Sequence, residues 1–536
     1  MPRRLWLSVG LLAAGAVLLA TARLAGAAPQ SPEVFRVGFA GASVQIDPQL
    51  SYITTGWWME YATAAKLYNW TDHGSRLVPE VASRATISNG GRTYTFLLRK
   101  GFRFSDGTPV TANNFSYAID RVAAKDLASP GAAFITDSAG TEIVGAQAVN
   151  SGLATHVRGV QVKGPYKLVI RLVGRDPTFI SKLTMPFFQA TSTTLPLTHE
   201  VAGAYPSAGP YFFSANDANT LTSIRRNSYY RGARPHRLDG VDVRWGLNEE
   251  DAFHQVEANT LDESSVPEVE AQGLVDRYGI NKTRFWAKAN NCIGVLALNG
   301  QNALFGRTAM RKAINWAVDR TGYARLAGVA AATPWTHILP PSFPGSITKK
   351  RLQPYSVHAN LAKARKLAGD LGNRRIVVGY RLSGTIGPAQ AEFVRQSLVR
   401  LGFRSENITM KGFTGGNLYT AMGTRGTDLD MGVSMGWCAD SPDPSSLLSS
   451  FFLFWDLTGV DSAKYRAKLA AAERLRGRAR LRAFGKLDLE ITNNFAPYVP
   501  MRTYNNRYLF SNRVDPRSLS YSGVYSDWSI PALALR

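Results

Sequence analysis

The sequence predicts an α/β protein built from two lobes. Its 536 residues are 45% apolar, which is enough for three to four domains at roughly 150 residues each. Before residue 290 the strand patterns come mostly as hairpins, which are typical of a mixed sheet. After residue 290 helix and strand patterns alternate, as they do in an α/β lobe. Two lobes of different style imply a cleft between them, where ligands usually bind.

The first half of the chain predicts short strands and one capped helix. Alternating apolar residues from Arg92 to Arg99 indicate a half-buried strand. Thr111 can cap a helix that continues to Val122 with an apolar stripe on one face. The other predicted strands are Phe35–Phe39, the hairpin pair Val160–Val162 and Leu168–Leu172, and Val241–Trp245.

The second half predicts a buried strand followed by alternating elements. Cys292–Leu298 is a continuous apolar run, which suits a strand buried on both faces. The predicted helices are Thr308–Leu326, Ala359–Leu371 and Pro388–Leu401. The predicted strands among and after them are Arg375–Tyr380, Ile408–Lys411 and Leu429–Trp437.

Residues 1–27 have the pattern of a secretory signal peptide. Arg3 and Arg4 precede an apolar stretch, and Ala25-Gly26-Ala27 provides an A-x-A cleavage site. An uncleaved anchor is the alternative, because the apolar stretch is nearly long enough to span a bilayer. No Cys lies near the cleavage site, so a lipoprotein is not expected. We expect export, by the general or the twin-arginine route, to the periplasm or the outer face of the cytoplasmic membrane.

The chain is strongly basic, with a net charge of +23 from 62 Lys+Arg against 39 Asp+Glu. Basic residues concentrate in Lys464–Lys486, where the spacing of Leu also fits an ordinary amphipathic helix with a solvated basic face. Because an exported protein rarely meets nucleic acid, we expect no nucleic-acid partner. An anionic membrane or cell-wall surface is the better candidate for this charge.

Known catalytic and metal motifs are missing from the sequence. Two Cys and seven scattered His provide no zinc pattern, and no G-x-S-x-G, G-x-G-x-x-G or Walker loop occurs. We therefore expect no catalytic residue, no metal and no cofactor. A secreted hydrolase that uses Asp440 and Asp443 as acid and base is a remote alternative.

Several segments together resemble the family 5 extracellular solute-binding proteins, which are the peptide, dipeptide and nickel receptors of ABC importers. They follow one another in the order that the family shows and run through most of the chain. These segments are Leu77–Ala82 (LVPEVA), Arg92–Gly101 (RTYTFLLRKG), Phe104–Ala112 (FSDGTPVTA), Gly209–Tyr211 (GPY), Arg226–Tyr230 (RNSYY) and Met310–Arg320 (MRKAINWAVDR).

The resemblance implies a two-lobed periplasmic-binding-protein (Venus-flytrap) fold with an extra subdomain inserted in the first lobe. Lobe I is expected to be discontinuous, with residues 33–55, 165–289 and 497–536. The inserted subdomain would cover residues 56–164, and lobe II would cover residues 290–496. Crossings near Asn291 and Ala496 would form the hinge about which the lobes close.

The most informative segment is Gly436-Trp437-Cys438-Ala439-Asp440, which resembles oligopeptide-binding members of the family. The resemblance implies that Asp440 binds the α-ammonium of a peptide, which would be a charge-assisted bond. It also implies that the preceding strand, with Gly436, Trp437 and Cys438, binds the peptide backbone. The alternative is that Asp440 only caps the turn before Pro442.

Three further residues and one disulfide follow from the same resemblance. Thr54 and Thr55 correspond to the opposing backbone strand, and Phe134 lies near a position where relatives place an aromatic ring against the ligand. Cys292 and Cys438 are the only cysteines, and export permits them to pair. Oligopeptide-binding relatives carry a similar pair, so a disulfide is expected, with two buried thiols as the alternative.

The predicted function is that of a binding component without catalytic activity. The protein would bind peptides between its lobes and deliver them to the transmembrane subunits of an ABC permease, and it is expected to be a monomer. The nearest alternative keeps the fold but binds a sugar oligomer, a nickel chelate or another small solute. Eleven Trp favour sugar binding, whereas the scattered His disfavour nickel.

Overall fold

The computed structural model describes residues 33–71, 76–136, 141–217, 219–382, 386–414, 416–458, 462–523 and 526–536, without the side chains of 452–458. The predicted signal peptide, residues 1–27, lies outside the described residues. In the described part of the chain, no helix has the length and apolar character needed to cross a membrane.

Strands and helices are numbered here in chain order. The strands are β1 (Val34–Gly38), β2 (Tyr68–Trp70), β3 (Leu77–Pro79), β4 (Ala82–Ser88), β5 (Thr93–Leu98), β6 (Val160–Val162), β7 (Lys167–Arg171), β8 (Tyr211–Asp217), β9 (Leu221–Arg226), β10 (Gly240–Arg244), β11 (Glu263–Ser265), β12 (Phe285–Leu298), β13 (Ala332–Pro334), β14 (Ile376–Arg381), β15 (Ile408–Phe413), β16 (Met431–Cys438), β17 (Tyr498–Phe510), β18 (Tyr521–Ser522) and β19 (Asp527–Trp528). The α-helices are α1 (Thr54–Thr63), α2 (Ala112–Ala123), α3 (Ala146–Asn150), α4 (Phe179–Lys182), α5 (Glu249–Glu257), α6 (Glu268–Tyr278), α7 (Thr308–Ala317), α8 (Arg320–Arg325), α9 (Leu361–Ala368), α10 (Ile386–Leu401), α11 (Asn417–Gly423), α12 (Pro444–Thr458), α13 (Ala463–Glu473) and α14 (Gly477–Glu490).

One large mixed sheet organises the fold, in the order β15-β14-β16-β12-β17-β11-β1-β10-β9-β8, with β13 also paired to β17. A separate antiparallel sheet has the order β4-β5-β7-β6. Strand β7 pairs with β5 and β6 and extends that sheet past residue 164, where the predicted inserted subdomain ends. The α/β class is confirmed, and the domain boundaries themselves stay a prediction.

The centre of the large sheet consists of two long antiparallel strands. The first part of β12, residues 285–289, pairs with residues 505–509 of β17, and its last part pairs with residues 498–503. The register shifts between Ala289 and Ile293. It shifts again between Gly294 and Val295. Both halves of the large sheet therefore share the same two strands, whose ladder is interrupted at these two places.

Most predicted elements are confirmed, with boundaries that differ by a few residues. The capped helix is α2, where Thr111 and Asn114 form a capping box. The helix predicted over Thr308–Leu326 is wrong as one element. It divides at Val318, whose backbone is extended, and the Asp319 side chain accepts the N–H of Thr321 at 3.1 Å to begin α8.

The basic segment Lys464–Lys486 also forms two helices, α13 and α14, and not the single amphipathic helix that was predicted. Arg480 is buried in it, whereas Lys468 pairs on the surface with Glu490 at 2.5 Å. The exposed basic residues of the segment are Lys464, Lys468, Arg474, Arg476, Arg478, Arg482 and Lys486.

A fully buried ion pair joins α2 to the loop after β1. The Arg121 guanidinium donates to both carboxylate oxygens of Asp47 at 2.6 Å, and neither side chain is exposed. Arg121 also donates to Gln49 and to two backbone carbonyls, so the buried charge is well compensated. This pair fixes where the chain enters α1.

We expect Arg121→Met to destabilise the protein strongly, because it leaves the carboxylate of Asp47 buried and unpaired. Breaking such a pair typically costs about 3–5 kcal/mol, and the midpoint of thermal unfolding should fall by several degrees. The double variant Arg121→Met/Asp47→Leu should recover part of the loss. Arg517→Met, which breaks an exposed pair with Asp515, should leave the midpoint unchanged. Equal midpoints for the two single variants would contradict this account.

Candidate functional site

A cavity of about 590 Å³ lies between the end of β16 and the segment that leads into α1. We call it the main cavity. Its walls carry many aromatic rings and one residue of each charge sign. Its lining residues are Tyr52, Ile53, Thr54, Trp57, Asn290, Asn291, Cys292, Arg381, Tyr419, Ser434, Gly436, Trp437, Cys438, Ala439, Asp440 and Tyr504.

One wall of the main cavity is the end of β16, which is fixed to β12. Cys292 lies directly opposite Cys438 in the antiparallel register, and the two form the predicted disulfide. Two residues earlier, Gly436 lies opposite Gly294. A Cβ on Gly436 would be only 2.4 Å from the carbonyl oxygen of Ile293, so this close approach requires glycine.

The carboxylate of Asp440 is directed across the main cavity. The Tyr52 hydroxyl donates to its Oδ1 at 2.6 Å, and the side chain of Trp437 also donates to it. The turn before Pro442 is instead held by the backbone N–H of Asp440, which donates to Ser446 Oγ at 2.8 Å. Burial raises the pKa of Asp440 to about 6, although both side-chain hydrogen bonds favour the charged form.

The second carboxylate of the segment has a structural role. Arg480 donates to both oxygens of Asp443, at 2.9 and 2.7 Å. Asp443 also accepts the backbone N–H of Ser445 at 2.9 Å, at the start of α12. With these bonds Asp443 is not available as a catalytic base beside Asp440, and the hydrolase alternative gains no support from the geometry.

The backbone of Gly436 is already bonded in this structure. The Tyr419 hydroxyl accepts the Gly436 N–H and donates to the Gly436 carbonyl, both at 2.9 Å. A peptide backbone could bind Gly436 only if Tyr419 moved aside. The backbone role of Gly436, Trp437 and Cys438 therefore stays a prediction.

The prediction of an extended strand at Thr54 and Thr55 is wrong. Ile53 is extended, but Thr54 begins helix α1, so both threonines lie in its first turn. Thr54 lines both the main cavity and a neighbouring cavity of about 230 Å³, whereas Thr55 lines the neighbouring cavity and not the main one. We call the neighbour the acid-lined cavity, because Glu263 and Asp527 face it.

Phe134 lies outside the main cavity. Its ring packs edge-on against Tyr52, with the centroids 6.2 Å apart, and it lines a polar cavity of about 470 Å³ that also includes Asp440. The structure thus places Asp440 between two cavities. Phe134 can reach a solute only in the second one, so its contact with a ligand stays a prediction.

Several residues of the main cavity were missed by the sequence prediction, and three of them matter for its chemistry. Tyr52 lies two residues before the predicted segment at Thr54, and Arg381 lies one residue past a predicted strand. Tyr504 comes from the middle of β17. The Nε of Arg381 is buried and has no hydrogen-bond partner in the described part of the chain. No local motif marks these residues, because they belong to the site only through the side of the cleft that they face.

Residues 76–456 match the family model of the bacterial extracellular solute-binding proteins, family 5. The match covers more than half of the chain, so the chain belongs to this family.

The chain has low sequence identity to individual relatives and solved structures. The chain is 26% identical over 358 residues to the "Probable deoxycholate-binding periplasmic protein YgiS" of Escherichia coli strain K12, which covers 63% of each chain. It is 22% identical over 520 residues to the "Glutathione-binding protein GsiB" of Escherichia coli O1:K1 / APEC, which covers 92% of each. The solved "Clavulanic acid biosynthesis oligopeptide binding protein 2" matches with a TM-score of 0.81 at 19% identity, over 94% of this chain and 95% of that one. This last likeness shows the two-lobed fold.

We expect Tyr52→Phe to raise the pKa of Asp440 above its value of about 6, because it removes a hydrogen bond to the charged form. Such a bond is worth about 1.5–3 kcal/mol, so the increase should be about one to two pKa units. NMR titration of the carboxyl carbon measures it. Tyr419→Phe, whose hydroxyl bonds Gly436 instead, should leave the pKa unchanged. An unaltered pKa in Tyr52→Phe would show that the bond does not form in solution.

Proposed function

We propose that this protein binds peptides in the main cavity, as the extracytoplasmic component of an ABC importer, and delivers them to a membrane permease without catalysing a reaction. The observation that carries the proposal is the carboxylate of Asp440, which lies at the end of a cleft strand and is held across the cavity by Tyr52. A carboxylate in this position can bind an ammonium group in a cavity with little water.

The opposite charge lies in the same cavity. Arg381 is the other charged residue of the lining, and its Nε is buried without a partner among the described residues. A guanidinium in this state favours a carboxylate ligand. Asp440 and Arg381 together suit a zwitterion, and the aromatic rings between them suit side chains. A short peptide has all three features.

The names of similar proteins support two kinds of solute. Glutathione and oligopeptides, which two similar proteins are named for, are peptides. Deoxycholate, which another is named for, is an apolar carboxylate that could use Arg381 and the aromatic walls without Asp440. A small apolar carboxylate is therefore the second candidate. A nickel role gains no support, since the described residues contain no group of three or more His, Cys, Asp or Glu placed to hold a metal.

The cellular setting follows from the family and the sequence. We infer an exported monomer that works in the periplasm or at the outer face of the cytoplasmic membrane, with the permease as its partner. The exposed basic residues of α13 and α14 fit an anionic membrane or cell-wall surface, and this interaction stays a prediction.

We expect Asp440→Asn to weaken the binding of a free tripeptide by roughly 30-fold or more, because a buried ammonium left without its partner costs about 2–5 kcal/mol. N-acetylation of the peptide should weaken binding to the wild type similarly and binding to the variant much less. Calorimetric titration of both proteins with both peptides completes a double-mutant cycle.

The control for this cycle is Asp428→Asn, which removes a carboxylate that is 65% exposed and paired with Lys411. It changes the net charge equally and should leave both affinities unchanged. If the losses from Asp440→Asn and from N-acetylation are additive, Asp440 does not bind the amine. Binding of deoxycholate with no effect of Asp440→Asn would then favour the second candidate.

We expect Arg381→Gln to lower the affinity for a peptide acid about tenfold or more, and to affect the C-terminal amide of the same peptide much less, because a charge-assisted bond needs both charges. Calorimetry again measures the four affinities. Arg395→Gln removes an exposed guanidinium that pairs with Glu392 outside the cavity and provides the matched control. An equal loss for acid and amide would exclude Arg381 as the carboxylate partner.

A further inference from the structure

The acid-lined cavity adjoins the main cavity at Thr54, which lines both. Its volume of about 230 Å³ compares with about 30 Å³ per water molecule in the liquid. It therefore has room for several waters or for a long side chain. It lies beside the middle of β17, where Asn506 and Tyr508 contribute to its wall.

Two carboxyl groups face this cavity. Glu263 on β11 is only 2% exposed, and its Oε2 is buried without a hydrogen-bond partner in the described part of the chain. Asp527 accepts the backbone N–H of Trp528 at 2.8 Å, while the Tyr508 hydroxyl of the same wall donates to the Ser526 carbonyl at 3.1 Å. Buried carboxyl groups are normally paired or fully hydrogen-bonded, so the unbonded Oε2 of Glu263 requires an explanation.

No lining residue supplies the missing positive charge. Arg507 is the only cation among the described lining residues, and its guanidinium is bonded elsewhere. It donates to Glu268 at 2.5 Å and to the backbone carbonyls of Val266 and Val329. Among its described lining residues the cavity thus has two acidic side chains and no basic side chain that is available to pair with them.

The pKa values of the two acids agree with a site that lacks a positive charge. Burial raises the pKa of Glu263 well above its usual range, and the neighbouring Asp527 raises it further. The pKa of Asp527 is raised to about 7, again mainly by burial. Two carboxyl groups in one buried site cannot both ionise cheaply, whereas a cation between them would favour their charged forms.

We propose that the acid-lined cavity is a subsite for a basic side chain of the bound solute, with Glu263 and Asp527 as the partners of its ammonium or guanidinium group. This inference rests on the proposed peptide function and names the class of peptide: one that carries lysine or arginine. The main cavity binds the termini of the peptide, and the acid-lined cavity selects one side chain that passes Thr54.

The test uses trialanine and its variants with one lysine, or one norleucine, at each of the three positions. Norleucine keeps an apolar stem without the charge. At one position lysine should bind about tenfold to a hundredfold more tightly than norleucine, since a buried charge pair is involved. At the other positions the two peptides should bind alike.

Two variants identify the residues. Glu263→Gln and Asp527→Asn keep the side-chain shape, and each should remove most of the lysine preference while trialanine binds as before. Asp428→Asn removes a carboxylate that is 65% exposed and lines neither cavity, and it should retain the preference. Because Glu263 and Asp527 lie on different elements, one variant remains usable if the other fails to fold.

The outcomes separate this inference from the proposed function. Equal affinity for lysine and norleucine peptides at every position, with trialanine still bound, would overturn the basic subsite alone. If no peptide binds, the proposed function fails, and agmatine then tests the subsite directly. Agmatine should raise the melting temperature of the wild type and of Asp428→Asn but not of Glu263→Gln. Equal shifts in all three would overturn the subsite.

Discussion

Both walls of the main cavity are built on the antiparallel pair formed by β12 and β17. In such a ladder each residue has a fixed partner, and a slip by one residue would turn every side chain to the opposite face. The pair therefore fixes how the two halves of the large sheet are placed, with register shifts between Ala289 and Ile293 and between Gly294 and Val295. Asn290 and Asn291 lie in the first of these intervals and line the cavity. An interruption of the ladder in the shared strand is thus also part of the cavity wall.

The same interval fixes the backbone around Asp440. The Asn291 side chain donates to the Ala439 carbonyl at 2.7 Å, and the Ala439 N–H donates to the Asn291 carbonyl at 3.1 Å. The disulfide between Cys292 and Cys438 joins the same two segments at the next pair of the ladder, because Cys292 follows Asn291 and Cys438 precedes Ala439. The carboxylate is therefore held by the strand that passes between the two halves of the sheet. A rotation about this strand would move Asp440 relative to Tyr52 on the other wall, so the bond between them depends on how the two walls are oriented.

How much could be predicted from the sequence depends on the range of the interactions involved. The second half of β12 was predicted because an apolar run such as Cys292–Leu298 reflects its own burial, and α2 was predicted because its cap is local. The first half of β12, which begins at Phe285, was missed. The extended segment expected at Thr54 was wrong, because the ten residues that follow Ile53 form a helix whose apolar and aromatic residues are buried on nearly all sides. Tyr52 was missed, since its bond to Asp440 joins residues 388 apart in the chain. The role of a carboxyl group such as that of Glu263 can be inferred only when its neighbours are known, and no sequence pattern supplies them.

The bond between Tyr52 and Asp440 also changes how ligand binding should be understood. It joins the two walls, so it favours an arrangement in which they are close. A carboxylate has about four lone-pair positions on its two oxygens, and Tyr52 donates to Oδ1 at 2.6 Å. An ammonium can therefore add to this bond and need not replace it. A ligand shifts a conformational equilibrium only by its difference in affinity for the two states. Since an ammonium would meet Asp440 with Tyr52 beside it only when the walls are close, the solute and Tyr52 would stabilise the same closed state through one carboxylate.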